Sequence, residues 1–227
     1  MMLSVVIPAL DEAAGIEASL RALAPLRRRG AEIIVIDGGS RDGTTELARP
    51  LADRVMAAPR GRAVQMNAGA ACARGDVLLF LHADTRLPDE ADSFVLDGLT
   101  RSNRVWGRFD MRFDGNRLRL ITFMMNWRSR MTGIATGDQA IFVTRATFEE
   151  AGGFPPIALM EDVALSARLK RLGHPLCLDA KVTTSPRRWQ RHGVLRTVLL
   201  MWKLRLAYFF GADPVRLAET YGYAPER

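Results

Sequence analysis

Short apolar segments alternate with amphipathic segments through the first half of the chain. Three of the apolar segments are strand-like, at 3–8, 32–37 and 77–81, and helical spacing of apolar residues separates them at 15–26 and 62–73. This order predicts a mostly parallel sheet with crossover helices. The strands are apolar at successive positions, so apolar side chains point to both faces of the sheet. We therefore expect helices on both faces.

The second half has a different order of elements. We expect a longer and more exposed strand, a helix, a strand, an amphipathic helix, two short strands and a last apolar-rich helix, at 105–113, 116–130, 140–144, 161–172, 175–178, 181–184 and 193–210. No repeat or linker interrupts this order. One domain over 1–188 and a helical extension over 189–227 are therefore the simplest division.

Composition limits the classes of protein and of partner. Apolar residues make up 48% of the chain, which argues against disorder. The net charge of +7 favours an anionic partner, whether nucleotide phosphates, a membrane surface or nucleic acid. Cys72 and Cys177 lack metal-binding spacing, so we expect two small buried residues in a reducing compartment. No signal-peptide pattern or run of about 18 apolar residues is present, which predicts a cytoplasmic protein.

The third strong strand ends in a cluster of metal-ligand residues, His82-Ala83-Asp84. Ligands of open α/β sheets bind just beyond the carboxyl ends of the strands. Mg²⁺ and Mn²⁺ often take one carboxylate from the protein and further oxygens from phosphates, and the imidazole of His82 would favour Mn²⁺. The alternative is an ordinary turn in which Asp84 caps the following helix.

Two other segments suit a nucleotide. Asp37-Gly38-Gly39 follows the second strand, where the carboxylate could accept hydrogen bonds from a base or ribose, although a plain turn also favours these residues. Arg62 opens a helix and suits a phosphate clamp or simple solvation. Gly38 and Gly43 have the spacing of a P-loop, but Thr44 stands where a P-loop requires lysine. The glycines also lack the G-x-G-x-x-G spacing of a dinucleotide-binding motif. These two departures weaken the hypotheses of a kinase-type ATPase and of an NAD-dependent oxidoreductase.

Paired carboxylates begin the amphipathic helix at 161–172. Glu161 and Asp162 suit helix capping, since acidic residues complement the helix dipole. Next to a diphosphate, one of them could instead act as a general base. The segment Gly137-Asp138-Gln139 precedes a strand and could line a pocket for an acceptor.

Together these segments resemble the family-2 glycosyltransferases with the GT-A fold. The resemblance runs from about residue 3 to residue 178 and is carried by VVIPALDE at 5–12, IVIDGGSRDGT at 34–44, NAG at 67–69 with ARGD at 73–76, LFLHAD at 79–84, and ED at 161–162. It implies an α/β fold: a Rossmann-like, mostly parallel sheet flanked by helices, followed here by a helical tail. Compact members with DGGS and HADT are similar to a bacterial subgroup linked by name to arsenosugar biosynthesis.

The resemblance also implies roles for individual residues. Nucleotide-binding roles fall on Pro8, Glu12, Asp37, Gly38, Arg62 and Asp84. Asp84 matches the last aspartate of the D-x-D metal motif, and His82 replaces the first, so both are candidate ligands of Mn²⁺ or Mg²⁺. Asp162 matches the catalytic base of the E-D pair, beside Glu161.

The resemblance therefore implies a metal-dependent, inverting glycosyltransferase. Its partners would be a nucleoside-diphosphate sugar and an acceptor with a hydroxyl, and not nucleic acid. The last helix would pack on the domain, join a homodimer or lie on the inner face of the membrane. Two other functions stay open: a sugar-phosphate nucleotidyltransferase, and a non-enzymatic basic binder of membrane or nucleic acid, for which the run at 187–191 is the main indication.

Overall fold

The computed structural model describes residues 1–115 and 118–223. Its eight strands form a single sheet: β1 (Leu3–Ala9), β2 (Glu32–Asp37), β3 (Arg54–Ala57), β4 (Val77–Phe80), β5 (Thr85–Arg86), β6 (Trp106–Phe113), β7 (Phe142–Thr144) and β8 (Leu176–Thr184). Their spatial order is β3-β2-β1-β4-β7-β6-β8-β5. The first four strands pair in parallel, and so do β6 and β8, whereas β7 and β5 are antiparallel to their neighbours. The predicted fold class, a mostly parallel α/β sheet, is confirmed.

Eleven helices connect or flank the strands in the described part of the chain. They are α1 (Ala13–Ala22), α2 (Ala24–Arg28), α3 (Thr44–Ala48), α4 (Arg62–Cys72), α5 (Ala91–Ser102), α6 (Arg119–Thr132), α7 (Arg145–Glu150), α8 (Glu161–Leu172), α9 (Arg187–His192), α10 (Val194–Phe209) and α11 (Pro214–Tyr221). The single helix expected at 15–26 is wrong. Pro25, in the first turn of α2, has no backbone N–H for a continuous helix, so the chain forms two helices.

Alternate residues of the central strands enter two separate cores. On one face of the sheet, Val5 and Val35 pack with apolar residues of α1, α2 and α5. On the other face, Val6 and Ile34 pack with residues of α4, α7 and α8. Burying each such side chain contributes about 1.5–3 kcal/mol. Because helices cover both faces of the sheet, the central strands do not alternate between apolar and polar residues, as the sequence predicted.

Two predictions for the second half need correction. The strand expected to be more exposed, β6, is almost fully buried, because it lies between β7 and β8 and carries Trp106 into one core and Phe109 into the other. The two short strands expected at 175–178 and 181–184 are one strand, β8, whose register shifts opposite Phe109 and Asp110. The helix predicted from residue 116 is observed as α6, and residues 116 and 117 lie outside the described part.

The last helices pack on the end of α8. Leu204 of α10 and Leu217 of α11 form a small core with Leu159 and Met160, which directly precede α8. Between residues 1 and 223, the stretch at 116–117 aside, the model contains no helix with the length and apolar content needed to cross a membrane. The division at residue 188 stays a prediction, and residues 224–227 of the extension lie outside the described part. Cys72 and Cys177 are free thiols, and both are partly rather than fully buried.

Candidate active site

A cavity of about 820 Å³ opens at the carboxyl ends of β1 and β4. Seven of the predicted site residues line it: Pro8, Glu12, Arg62, His82, Asp84, Glu161 and Asp162. They come from the ends of two strands and the starts of two helices, up to about 150 residues apart in the chain. The fold thus gathers the candidate metal ligands and the candidate base around one space.

Asp37 and Gly38 lie just behind this lining. The Asp37 carboxylate is buried and accepts hydrogen bonds from the backbone N–H groups of Gly39 and Ser40, at 2.9 and 3.0 Å. Gly38 lies against the side chain of Gln65, which lines the cavity and donates hydrogen bonds to the carbonyls of β1 and β2. Asp37 therefore shapes the loop at the end of β2, and its contact with a nucleoside stays a prediction.

Arg187 is a cavity-side cation that the sequence did not single out. Its guanidinium lies 3.2 Å from the Glu12 carboxylate and 3.4 Å from the Asp84 carboxylate. The sequence offered it only as part of a basic run that suited nucleic acid. In the fold, the segment after β8 brings this arginine across the ends of the central strands. It balances two carboxylates that would otherwise repel each other.

Gly137 connects His82 with Asp162. Its backbone N–H donates a 2.7 Å hydrogen bond to the Asp162 carboxylate. A Cβ at Gly137 would stand only 2.4 Å from Nε2 of His82, so a glycine is needed for the backbone to pass this close to the imidazole. Burial, followed by the charge of Arg62, lowers the pKa of His82. The ring is therefore neutral near pH 7, which is the form that ligates metals.

The two acidic residues at the start of α8 have different environments. Burial, and then the charge of neighbouring Asp162, raise the pKa of Glu161 to about 7. Arg62 opposes this rise, with its guanidinium 3.8 Å from the Glu161 carboxylate. Asp162, by contrast, accepts N–H donors from Gly137 and Val163. Near neutral pH, Glu161 is thus partly protonated, and Asp162 is the carboxylate held in place by backbone donors.

The proton on Glu161 makes stability depend on pH. The folded protein binds it more tightly than the unfolded chain does, so the free energy of unfolding falls as the pH rises from about 4.5 to about 7. We expect Glu161→Gln to remove this loss, which is on the order of 3 kcal/mol. Urea unfolding from pH 5 to pH 8 checks this, with Glu149→Gln on the surface of α7 as control. A stability difference between Glu161→Gln and wild type that stays constant with pH would contradict it.

The donor set fits a divalent cation shared with a substrate. The Asp84 carboxylate and the neutral His82 imidazole both line the cavity. In residues 1–115 and 118–223 no cluster of three or more acidic, histidine or cysteine side chains could hold a metal by itself. Mg²⁺ and Mn²⁺ commonly bind through one or two protein groups together with substrate phosphates. These residues suit that kind of site rather than a cage made only of protein ligands.

The segment expected to line an acceptor pocket does reach the cavity. Gly137 and Asp138 are both part of the lining. Oδ1 of Asp138 is buried and has no hydrogen-bond partner among the described residues, and burial raises the pKa of this carboxyl group. Asp138 therefore lies at the cavity with one carboxyl oxygen unsatisfied, which is costly for stability.

Comparison with known proteins identifies the family. A sequence profile described as "Glycosyl transferase family 2" matches residues 4–147, more than half of the 227 residues. The chain belongs to this family. It is therefore a glycosyltransferase and an enzyme, as the five sequence segments predicted. Neither the nucleotidyltransferase nor the non-enzymatic binder is supported by this match.

Individual relatives agree with this family. The glycosyltransferase is 27% identical over 197 residues to "Probable glycosyltransferase YdaM" of Bacillus subtilis (strain 168), across 75% of this chain and 47% of the relative. The chain spans between about a third and a half of the length of the curated relatives it matches. The link to arsenosugars stays a prediction.

Solved structures confirm the GT-A fold. S. aureus TarS 1-349 in complex with UDP-GlcNAc matches with a TM-score of 0.67 and 17% identity, over 82% of this chain and 58% of that one. The mannosyltransferase PcManGT from Pyrobaculum calidifontis, in complex with GDP-Man and Mn²⁺, matches with a TM-score of 0.64 and 22% identity, over 90% and 60%. At such identities the likeness concerns the fold.

Proposed function

We propose that this glycosyltransferase is metal-dependent and inverting, and that it moves a sugar from a nucleoside-diphosphate donor to an acceptor hydroxyl. The observation that carries the proposal is that Asp84 and Asp162 line the same cavity. The complexes of TarS with UDP-GlcNAc and of PcManGT with GDP-Man and Mn²⁺ support the choice of donor and of cation.

The donor would lie at the β1 end of the cavity. Pro8, near the end of β1, and Glu12, just after that strand, border the space that suits the nucleoside. The loop shaped by Asp37 and Gly38 lies behind them. Arg62 begins α4, where its guanidinium and the helix N-terminus favour a negatively charged diphosphate. Arg187 would release Glu12 and Asp84 when the donor arrives, since a diphosphate offers it stronger acceptors.

Asp162 would act as the general base. It accepts the proton of the acceptor hydroxyl while the hydroxyl oxygen bonds to the anomeric carbon and the bond from that carbon to the diphosphate breaks. The hydrogen bond from Gly137 fixes the direction of the carboxylate. Glu161 is less suited to this role, because its side chain is almost fully buried and its carboxylate faces the guanidinium of Arg62.

Asp84 and His82 would hold the cation, Mn²⁺ or Mg²⁺. When bound, such a cation neutralises charge that develops on the leaving diphosphate. Neutral imidazole is a better ligand for Mn²⁺ than for Mg²⁺, so Mn²⁺ is the preferred ion. A stable position for Asp84 follows from its place between β4, which is bonded to strands on both sides, and β5, which begins at Thr85.

A thermal-shift panel of sugar nucleotides, each with and without Mn²⁺, tests the donor assignment. A donor that binds the folded protein raises the melting temperature by mass action, by an amount that grows with its concentration. We expect at least one nucleoside-diphosphate sugar to do so, and Mn²⁺ to increase the effect. Product analysis then separates the reactions: a transferase releases nucleoside diphosphate, whereas release of pyrophosphate would point to nucleotidyl transfer.

A further inference from the structure

Two arginines of the C-terminal half of the chain line the cavity, close enough for their charges to interact. Arg128 of α6 and Arg205 of α10 both line it. The carboxylates of Asp138 and Asp162 attract Arg128, but neither forms an ion pair with it among the described residues. Burial, and then the charge of Arg205, lower the pKa of Arg128 to about 10. Two cations held together in a partly buried space are unfavourable unless an anion lies between them.

The walls around these arginines are apolar. Met125 of α6 and Met201, Trp202 and Leu204 of α10 also line the cavity. An inorganic anion or a free sugar phosphate would leave this surface exposed to water. The combination of a cation pair with apolar walls suits a molecule that has both an anionic head and an apolar chain.

Helix α6 buries polar side chains and exposes apolar ones, which is the reverse of an ordinary surface helix. Its buried residues are polar, namely Thr122, Asn126 and Ser129. Asn126 bonds to the backbone of β6 in both directions, which fixes the polar face inward. Its solvent-facing side carries large apolar residues at helical spacing: Leu120, Phe123, Met124, Trp127 and Met131. Water is a poor environment for this side.

Helix α10 adds a second apolar stripe beside the same cavity. Five of its exposed apolar residues recur at helical spacing: Leu195, Leu199, Trp202, Leu206 and Phe209. Arg196 and Lys203 lie on the same helix, in a chain with a net charge of +7. Apolar side chains interspersed with cations match the surface of an anionic membrane, whose acyl chains and phosphates offer both complements.

We propose that the acceptor is a membrane lipid whose head group carries a phosphate and a hydroxyl. The phosphate lies between Arg128 and Arg205, the hydroxyl faces Asp162, and the acyl chains leave between α6 and α10 toward the bilayer. This deepens the proposed function and rests on it, since the donor must occupy the β1 end of the same cavity. The apolar stripes of α6 and α10 then lie on the membrane from which the lipid enters.

Binding of a short-chain lipid tests the head-group site. Dihexanoyl phosphatidylglycerol, kept below its micelle concentration, should change the fluorescence of Trp127 and Trp202, which stand at the cavity. Dihexanoyl phosphatidylcholine, which lacks the hydroxyl and the net charge, should bind at least about tenfold more weakly, and so should glycerol 3-phosphate, which lacks the chains.

Arg128→Gln should weaken binding of the phosphatidylglycerol about tenfold to a hundredfold. Arg119→Gln, an exposed change on the same helix, should leave it unchanged.

Vesicle sedimentation tests the membrane source. Vesicles of dioleoyl phosphatidylglycerol should retain the wild-type protein, vesicles of dioleoyl phosphatidylcholine should not, and Leu199→Glu should abolish retention. Equal binding of both short-chain lipids, glycerol phosphate binding as well as the lipid, or no vesicle retention would each overturn the proposal. The melting-temperature rise with a sugar nucleotide is measured on the same variants. If it persists while lipid binding fails, the donor assignment stands and only the acceptor is wrong.

Discussion

Replacing Asp162 with asparagine should reduce the release of nucleoside diphosphate from the donor by about 10²–10⁴-fold, because the general base is lost. Asparagine still offers an oxygen to the N–H of Gly137, so the loop that carries Gly137 should keep its position. The affinity for the sugar nucleotide should change little. Slow hydrolysis of the donor by water gives the rate without knowledge of the acceptor, and calorimetry gives the affinity.

A surface change of the same chemistry provides the control for this experiment. Asp97→Asn on α5 alters an exposed carboxylate that pairs only weakly with Arg101, at 3.8 Å. It should preserve both rate and affinity. If Asp162→Asn lowered donor affinity as much as the rate, Asp162 would support the architecture of the site and not the proton transfer.

Replacing Asp84 with asparagine should remove most of the Mn²⁺ affinity that the protein shows in the presence of a nucleoside diphosphate. Loss of a residue that merely supports a metal ligand costs about tenfold to a hundredfold in affinity, so loss of a direct ligand should cost more. Electron paramagnetic resonance of free Mn²⁺ measures this binding without any turnover. Asparagine retains a weaker, neutral oxygen, which limits disturbance of the turn after β4.

Asp162→Asn is the matched control for the metal experiment, since it lies in the same cavity and changes the same charge. It should bind Mn²⁺ nearly as the wild type does. Comparable losses in the two variants would show that general negative charge, and not a ligand at Asp84, attracts the cation.

Much of the fold could be predicted from periodicity. β2, with apolar residues on both sides, begins and ends at the predicted residues, and so does α8, whose end is marked by Gly173. Sequence periodicity failed where packing against residues distant in the chain decides whether a side chain is buried. The alternation of β6 suggested exposure, yet two of its charged residues are buried: Arg108 pairs with Asp110 inside the protein. No local pattern reveals that a buried arginine will find its partner two residues along the strand.

The candidate site divides in the same way. Asp84 and Asp162 could be named from motifs, and their common cavity agrees with that choice. Arg187, Gln65 and Arg128 carry no motif of their own. Their positions depend on the segment after β8, on the packing of α4 and on the reversed polarity of α6. Only the last of these left a signal in the sequence, namely polar residues at helical spacing between apolar ones at 122, 126 and 129.

The anomeric configuration of the sugar first released from an α-linked donor tests the central claim most directly. The claim is that Asp162 guides a single attack from the face opposite the diphosphate held at Asp84. Time-resolved ¹H NMR of donor hydrolysis, begun before the free sugar can mutarotate, reads that configuration. The account predicts that the β anomer appears first. Initial release of the α anomer would contradict it.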